Sequence, residues 1–242
     1  MILDFTFLLK SPGDIVFKNS GGPDCAILMH YAAKFVSEHK LNTKFYHVTV
    51  DTRTKFFYAK HAKLVIQYIF DTFGIACAEH AIASDVEVTE IFDTNGMSVI
   101  YGYKEGQRKL INDLRSKYPN IKYEICGVSN MLPSDILANE KKATPELAKI
   151  SSTRDIQRTG ALVHKEMTKE SDADYWYYQP LVNLDKRDVK QLYDAAGCID
   201  TLFPLTRSCE VSTNWLCYPQ VESAHCGQCS FCFERKYVFG TL

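Results

Sequence analysis

Short apolar runs alternate with longer segments whose apolar residues recur every three or four positions, and this alternation organises the first half of the chain. Residues 14 to 19, DIVFKN, make a compact apolar run that closes on a glycine pair. Over residues 23 to 40, Ile27, Leu28, Tyr31, Ala32, Phe35 and Val36 then share one helical face. The pattern predicts a strand, a tight loop and a helix. Pro23 suits the first turn of that helix, where its missing N–H has no intrahelical partner and its fixed φ is already helical. Residues 44 to 50, KFYHVTV, predict a second strand, and 55 to 73 a second helix carrying Phe57, Leu64, Ile69 and Phe73. Residues 86 to 92 and 97 to 101 hold β-branched and aromatic residues, 104 to 118 predict a helix, and 122 to 128, KYEICGV, another strand. Alternation of this kind predicts an α/β, Rossmann-like parallel sheet with helices on both faces. Ligands of such sheets bind outside the carboxyl ends of the strands, near a switch in strand order, which is where the glycine loop falls.

After Val128 the pattern weakens. Residues 129 to 175 are polar, carry Pro133 and Pro145, and include the charged run EKK at 140 to 142, so they read as an excursion over the active-site face. Order returns at Leu184, with Asp185 as an N-cap, Val189, Leu192, Tyr193 and Ala196 on one face, and Gly197 as the stop. The expected division is a nucleotide-binding α/β domain over 1–200 and a cysteine-rich segment over 201–242.

Composition narrows the function classes. With 242 residues, 46% hydrophobic and 24% charged, the chain has the make-up of an ordinary soluble protein, and no stretch reaches the ~18 apolar residues of a membrane span. The start, MILDFTFLLK, places Asp4 early and no basic segment ahead of a sustained apolar run, so a cytoplasmic protein without a secretory signal is expected. A net charge of -1 supplies no overall field for a nucleic-acid backbone, so only a local basic patch could serve one. Of nine cysteines, Cys25, Cys77, Cys126 and Cys198 are scattered, whereas Cys209, Cys217, Cys226, Cys229 and Cys232 crowd into 24 residues. Such clustering favours metal over disulfides.

Two constellations carry chemistry. Ser20, Gly21, Gly22, Pro23 and Asp24 lie between the first strand and helix, where backbone N–H groups at a helix N-terminus stabilise a phosphate and glycines let the main chain approach it. The loop lacks the Gly-Lys-Ser/Thr of a Walker A sequence and the G-x-G-x-x-G of a dinucleotide fingerprint. Near the other end, HCGQCSFCFERK sets Cys226, Cys229 and Cys232 at two successive C-x2-C spacings, with Cys209 and Cys217 upstream as candidates for a fourth ligand. Four thiolates make a closed, structural Zn2+ site. An Fe–S cluster is the competing occupant, since cysteines hold both. His225, beside Cys226, reads as a loop residue.

The loop resembles that of the PP-loop ATP pyrophosphatase superfamily, whose signature is Ser-Gly-Gly-x-Asp-Ser/Thr. The resemblance implies an adenine nucleotide alpha hydrolase-like fold, ATP held by Ser20, Gly21, Gly22, Pro23, Asp24 and Cys25, Mg2+ bridging its phosphates, and adenylation of a substrate oxygen. Cys25 stands where the superfamily has a hydroxyl, and a thiol is the weaker donor. Thr206, Ser208, Cys209, Cys226, Gly227, Cys229, Cys232 and Arg235 extend the likeness to the 7-cyano-7-deazaguanine synthases, as does the PLVNLDKRDVKQLYDAAG stretch at 180 to 197. That resemblance implies a ligase acting on a deazapurine acid and ammonia in a queuosine-type pathway, as a homodimer. Ser20 and Asp24 would be the catalytic residues, and Cys209, Cys226, Cys229 and Cys232 the structural zinc ligands. By spacing alone Cys217 fits the fourth position better; the Thr-x-Ser-Cys context favours Cys209. The family's Asp-Cys-Arg element is absent, and GVSNMLPSD at 127 to 135 stands where its substrate-side loop begins. Two other readings use the same residues: a tRNA-modifying PP-loop enzyme with an Fe–S cluster, and a non-catalytic nucleotide- or base-binding subunit of a larger assembly.

Further residues invite a role. Asp51 and Arg53 follow the second strand, at the level of a nucleotide's adenosine half. Arg235 and Lys236 follow the last cysteine, within reach of phosphates if the segment folds back. Tyr175, Trp176, Tyr177 and Tyr178 read as core before they read as a base-stacking platform. Cys77, Cys126 and Cys198 read as small core residues.

Overall fold

The computed structural model describes residues 3–52, 57–86, 89–92, 98–129, 132, 167–169, 174–209, 225, 227 and 230–241. In chain order these form α1 (Phe7–Lys10), β1 (Asp14–Lys18), α2 (Pro23–Glu38), β2 (Phe45–Thr52), α3 (Tyr58–Phe73), β3 (Cys77–Val86), β4 (Thr89–Phe92), β5 (Ser98–Tyr101), α4 (Tyr103–Lys117), β6 (Ile121–Cys126), β7 (Met167–Lys169), β8 (Trp176–Tyr178), α5 (Lys186–Ala196), a 3-10 turn (Phe203–Leu205) and α6 (Ser230–Phe239). The six-stranded sheet has the order β3-β2-β1-β6-β8-β7. Neighbours are parallel except β7, which runs antiparallel to β8 at one edge. It is the expected α/β, Rossmann-like architecture.

Side chains along a strand point alternately to its two faces, and β1 shows how both are covered. Ile15 and Phe17 join one core with Ile27 and Val36 of α2, Val65 and Ile69 of α3, and Val189 and Leu192 of α5. Val16 looks the other way, into a core with Tyr46 and Val48 of β2 and Ile111 and Leu114 of α4. Full burial of one such aliphatic side chain contributes about 1.5–3 kcal/mol. Helices therefore clothe both faces, as the continuous apolar run of β1 requires.

The ends of α2 and α5 follow from their sequences. Pro23 opens α2. At α5, the Asp185 carboxylate accepts the Arg187 N–H, the Asp188 carboxylate accepts the Asp185 N–H, and Gly197 closes the helix at φ 65. The middle of the chain corrects the expectation. The third parallel strand is β3, whose CAEHAIASDV sequence lacks the apolar density of a central strand; among the described residues it pairs with β2 alone, at the sheet edge. Residues 86 to 92 and 97 to 101 do supply strands, β4 and β5, but these pair with each other as an antiparallel hairpin apart from the six-stranded sheet.

Most of the polar excursion over 129 to 175 lies outside the described residues. Ser129, Leu132, β7, Asp174 and Tyr175 are the parts that are placed. The aromatic run becomes a sheet strand: Tyr175 and Tyr178 are buried, and Tyr178 meets Phe5 edge-on at 5.5 Å. In the C-terminal segment, α6 packs back on the sheet domain, with Phe239 stacked 4.0 Å from Phe203 and edge-on to Tyr193 of α5 at 6.1 Å. Among the described residues no helix is long and apolar enough to cross a membrane.

Candidate functional site

From β1 the chain passes through α2 to β2 on one side, while β6 lies on the other, so a crevice opens between the carboxyl ends of β1 and β6. The glycine loop fills its lip. Asn19 fixes the loop: its N–H reaches the Val48 carbonyl (2.9 Å), and its side-chain oxygen accepts the Gly21 N–H (3.0 Å). Gly21 has φ +69, and a Cβ there would stand 2.4 Å from the His61 Cβ and 2.7 Å from the Ala62 nitrogen. Only glycine satisfies both the left-handed conformation and the close approach of α3. Gly22 is the extended N-cap of α2 and brings no side-chain cap, so nothing from the cap residue covers the helix's first N–H groups. Gly22, Pro23, Asp24 and Cys25 all line the cleft. Gly127, following β6, is the second glycine required by contact, since a Cβ would lie 2.5 Å from the Cys25 nitrogen.

Asp24, in the first turn of α2, is held in a buried cluster. Both carboxylate oxygens meet the Lys186 ammonium at the start of α5, and Ser129 donates to Oδ2 at 2.8 Å. Lys186 also donates to the Ser129 hydroxyl at 2.9 Å. Three chain segments, α2, the exit of β6 and α5, thus converge on one carboxylate. Cys25 is buried, and its thiol donates to the Lys18 carbonyl at 3.1 Å. Burial pushes that thiol well above the ordinary cysteine range, with the neighbouring Cys126 and Asp24 adding to the effect. It stays protonated and serves β1.

The other flank of the loop comes from the turn after the 3-10 helix. The Arg207 N–H donates to the Gly21 carbonyl at 3.0 Å, and its guanidinium lies 3.7 Å over the Phe57 ring while lining the cleft. Arg235 corrects the expectation of a phosphate contact. It is buried behind this turn, donating to Thr206 Oγ1 (3.0 Å) and the Phe203 carbonyl (3.2 Å) with its guanidinium 3.8 Å over the Phe203 ring. Burial lowers its pKa to about 10 against the opposing influence of Tyr193 and Cys232. His61 braces the turn from α3, its Nδ1 lying 2.8 Å from the Leu205 carbonyl. Because a carbonyl only accepts, that nitrogen carries the hydrogen. Burial lowers the imidazole's pKa more than this bond raises it, and nearby Arg207 adds to the lowering.

The cleft encloses about 840 Å³ and, among the described residues, is lined by six basic side chains, Lys18, Lys104, Arg108, Arg115, Lys186 and Arg207, against two acids, Asp24 and Glu124. Both acids are engaged: Asp24 by Lys186, and Glu124 by Lys18 and by the Tyr175 hydroxyl at 2.8 Å. Burial disfavours the Lys18 charge, but the Glu124 carboxylate together with Cys126 and Tyr177 outweighs it, and the pKa is raised. Arg115 stacks 3.6 Å over Tyr175. Although the chain carries a net charge of -1, the described lining of this cleft is predominantly basic.

Several sequence-predicted residues take other positions. Asp51 is buried and accepts the Ala59 N–H at 3.0 Å, holding the first turn of α3, while Arg53 lies outside the described residues. Cys198 is buried as expected; Cys77 and Cys126 are only partly so, and Cys126 lines the cleft. Among the expected metal ligands, Cys209 and Cys232 come together in a small buried cluster with Phe231. Cys226, Cys229 and the alternative Cys217 lie outside the described residues. Among the described residues no group of three or more His, Cys, Asp or Glu is placed to hold a metal ion. His225 Nε2 accepts the Ser208 N–H at 3.3 Å. Ser129, Lys186 and Arg207 escaped sequence reasoning as functional residues. The signal for Arg207 lay in plain view, as the variable position of the Thr206-Arg207-Ser208-Cys209 motif.

No protein-family profile and no curated protein sequence matches the chain. Among solved structures, one similar chain is the U34-tRNA thiolase NcsA from Methanococcus maripaludis with its [4Fe-4S] cluster, at 12% identity and TM-score 0.45, over 78% of this chain and 58% of that one. Another is phosphoadenylyl-sulfate reductase from Candida auris in its phosphate complex, at 11% identity and TM-score 0.41, over 78% of this chain and 75% of that one. The chain thus spans less than two thirds of the thiolase.

Proposed function

We propose that the protein is an ATP-dependent ligase of the 7-cyano-7-deazaguanine synthase type, which adenylates a deazapurine carboxylate and replaces the AMP with ammonia. The observation that carries this reading is the lip of the cleft. An uncapped helix N-terminus behind Gly21 and Gly22 is flanked by Arg207 on one side and by the Asp24–Lys186–Ser129 cluster on the other. Backbone N–H groups, the helix dipole and a guanidinium converging on one spot suit a polyphosphate.

Ser20 and Gly22, on the turn that Gly21 shapes, would hold the leaving pyrophosphate, whose growing charge the α2 N-terminus and Arg207 would stabilise. Asp24, the carboxylate at the lip, would be the residue to hold a Mg2+, which would supply charge to offset that of the phosphates. Lys186 fixes the Asp24 carboxylate and keeps a second cation beside the loop. The substrate carboxylate attacks the α-phosphorus and pyrophosphate departs; ammonia then displaces AMP to give the amide. A second activation at the amide oxygen, followed by loss of AMP and a proton, gives the nitrile. The Cys25 thiol, buried and bonded to the Lys18 carbonyl, leaves Cys25 to meet the nucleotide through its backbone rather than through a side-chain donor. Cys209, Cys226, Cys229 and Cys232 would hold a structural Zn2+, and the pairing of Cys209 with Cys232 supports that set.

The test is to incubate zinc-replete protein with ATP, Mg2+, ammonium and 7-carboxy-7-deazaguanine and to follow the nitrile and AMP by mass spectrometry. Product that disappears with Asp24→Ala is the expected result. Nucleotide binding without AMP release would overturn the enzymatic reading in favour of a nucleotide-binding subunit. Iron and acid-labile sulfide in the purified protein would replace zinc with a cluster.

A further inference from the structure

Adenylating an acid brings two anions together. The carboxylate must approach the α-phosphorus to about 3–3.5 Å, against the repulsion of the polyphosphate, so the cleft needs cations that the nucleotide does not occupy. Lys18 and Lys186 are engaged by Glu124 and Asp24, Arg115 lies over Tyr175, and Arg207 flanks the glycine loop. Lys104 and Arg108 remain. They stand four residues apart in α4, neighbours on one helical face, and both are exposed while lining the cleft. Neither makes a hydrogen bond or a contact ion pair among the described residues, and the charges of both act on Glu105 only as the lesser influences on its carboxyl. Glu105, the acid between them in sequence, turns its carboxylate to the Gly102 N–H at 2.7 Å and caps the helix. Beside the two cations, Tyr103 accepts from Gln107 Nε2 at 3.1 Å and meets Tyr58 edge-on at 6.4 Å, so an aromatic corner of two inclined rings adjoins the charge.

We propose that Lys104 and Arg108 of α4 are the specificity residues for the second substrate, seating the carboxylate of a small planar acid whose ring rests near Tyr103 and Tyr58. This rests on the nucleotide reading of the glycine loop and adds which wall of the cleft recognises the acid. The seat distinguishes acid from product: the nitrile has no charge for it, so it binds more weakly and leaves, while the amide is the intermediate that is activated again before release.

The experiment uses the full chain saturated with a non-hydrolysable ATP analogue and measures, by calorimetry, the affinity for 7-carboxy-7-deazaguanine and its neutral 7-amide. It compares wild type with the K104Q/R108Q double variant, and reads nucleotide affinity in parallel as the control for folding. The expected result is acid binding at least 10-fold tighter than amide binding in wild type. The double variant should lose that preference with amide affinity changed less than twofold. Equal affinity for acid and amide in wild type, or unchanged acid binding in the variant, overturns the assignment. If wild type binds nucleotide but neither deazapurine, the deazapurine reading falls while the seat is still read on indole-3-carboxylate. Binding of that acid lost in the variant sustains the seat, and absence of binding overturns it. A short single-stranded RNA bound in its place, with the same loss, would reassign the wall to a polyanion and overturn the small-acid class.

Discussion

Lys186→Met is the sharpest test of how the site is held together. The substitution keeps most of the aliphatic stem and removes the ammonium, leaving the Asp24 carboxylate with the Ser129 hydroxyl and no cation. The side chains of Lys186 and Asp24 are 10% and 11% exposed, so water can replace little of what is lost. Ion pairs this buried are costly to assemble, and replacing both partners can be close to neutral, but removing one strands the other. The expected loss is about 3–5 kcal/mol of folding stability. With a urea slope near ~2–3 kcal/mol per molar, the midpoint should fall by about 1–2 M. Asp24→Asn should destabilise by a similar amount for the mirror-image reason, leaving the ammonium buried. The double variant should cost less than the sum by at least ~2 kcal/mol, because neither charge is then left alone. Urea unfolding followed by far-UV circular dichroism on the four proteins completes the cycle. A loss below ~1 kcal/mol for Lys186→Met, or simple additivity in the double variant, would refute the buried cluster as a unit.

Three further outcomes are expected. Gly21→Ala forces a left-handed residue, at about 1–2 kcal/mol, and sets a methyl against His61 and Ala62, so it should lower the melting temperature and abolish binding of a fluorescent ATP analogue. Arg207→Gln should weaken that analogue about 10–100-fold, the worth of a charge-assisted hydrogen bond to phosphate, whereas binding within twofold of wild type would remove Arg207 from the site. Stability should also depend on acid. Burial lowers His30 to about 4 and His47 to about 3, with Lys34 and His80 respectively adding to the effect, below the ordinary 6.5 of the unfolded chain. The unfolded chain therefore takes up protons first, so stability is present above about pH 6.5 and is lost as pH falls toward 4. By pH 4.5 each should cost about 2 kcal/mol, read as a falling urea midpoint, and His47→Phe should flatten part of the dependence.

Local order was legible in the chain where one short segment sets it. Pro23 opening α2, Asp185 and Gly197 bounding α5, and the apolar run of β1 depend on neighbours within a turn, so periodicity and cap chemistry found them. The edge strand β3 and the aromatic strand β8 escaped, because an edge or half-buried strand need not be apolar throughout and its identity comes from the strand beside it. The glycine loop was readable because a left-handed, side-chain-free turn restricts residue type directly.

What the sequence by itself determined was therefore the α/β class, the position of the glycine loop and the ends of the helices around it. Tertiary structure alone decided which charges share the cleft. Asp24, Ser129 and Lys186 are separated by 105 and 57 residues along the chain, yet they form one hydrogen-bonded cluster. Arg207 reaches the loop through a backbone bond from the far end of the sequence, while Arg235, which the sequence placed within reach of phosphates, is turned inward to Thr206. The physical reason is that Coulomb and hydrogen-bond energies depend on separation in space and on burial, and a sequence gives neither until the sheet order β3-β2-β1-β6-β8-β7 brings those segments together.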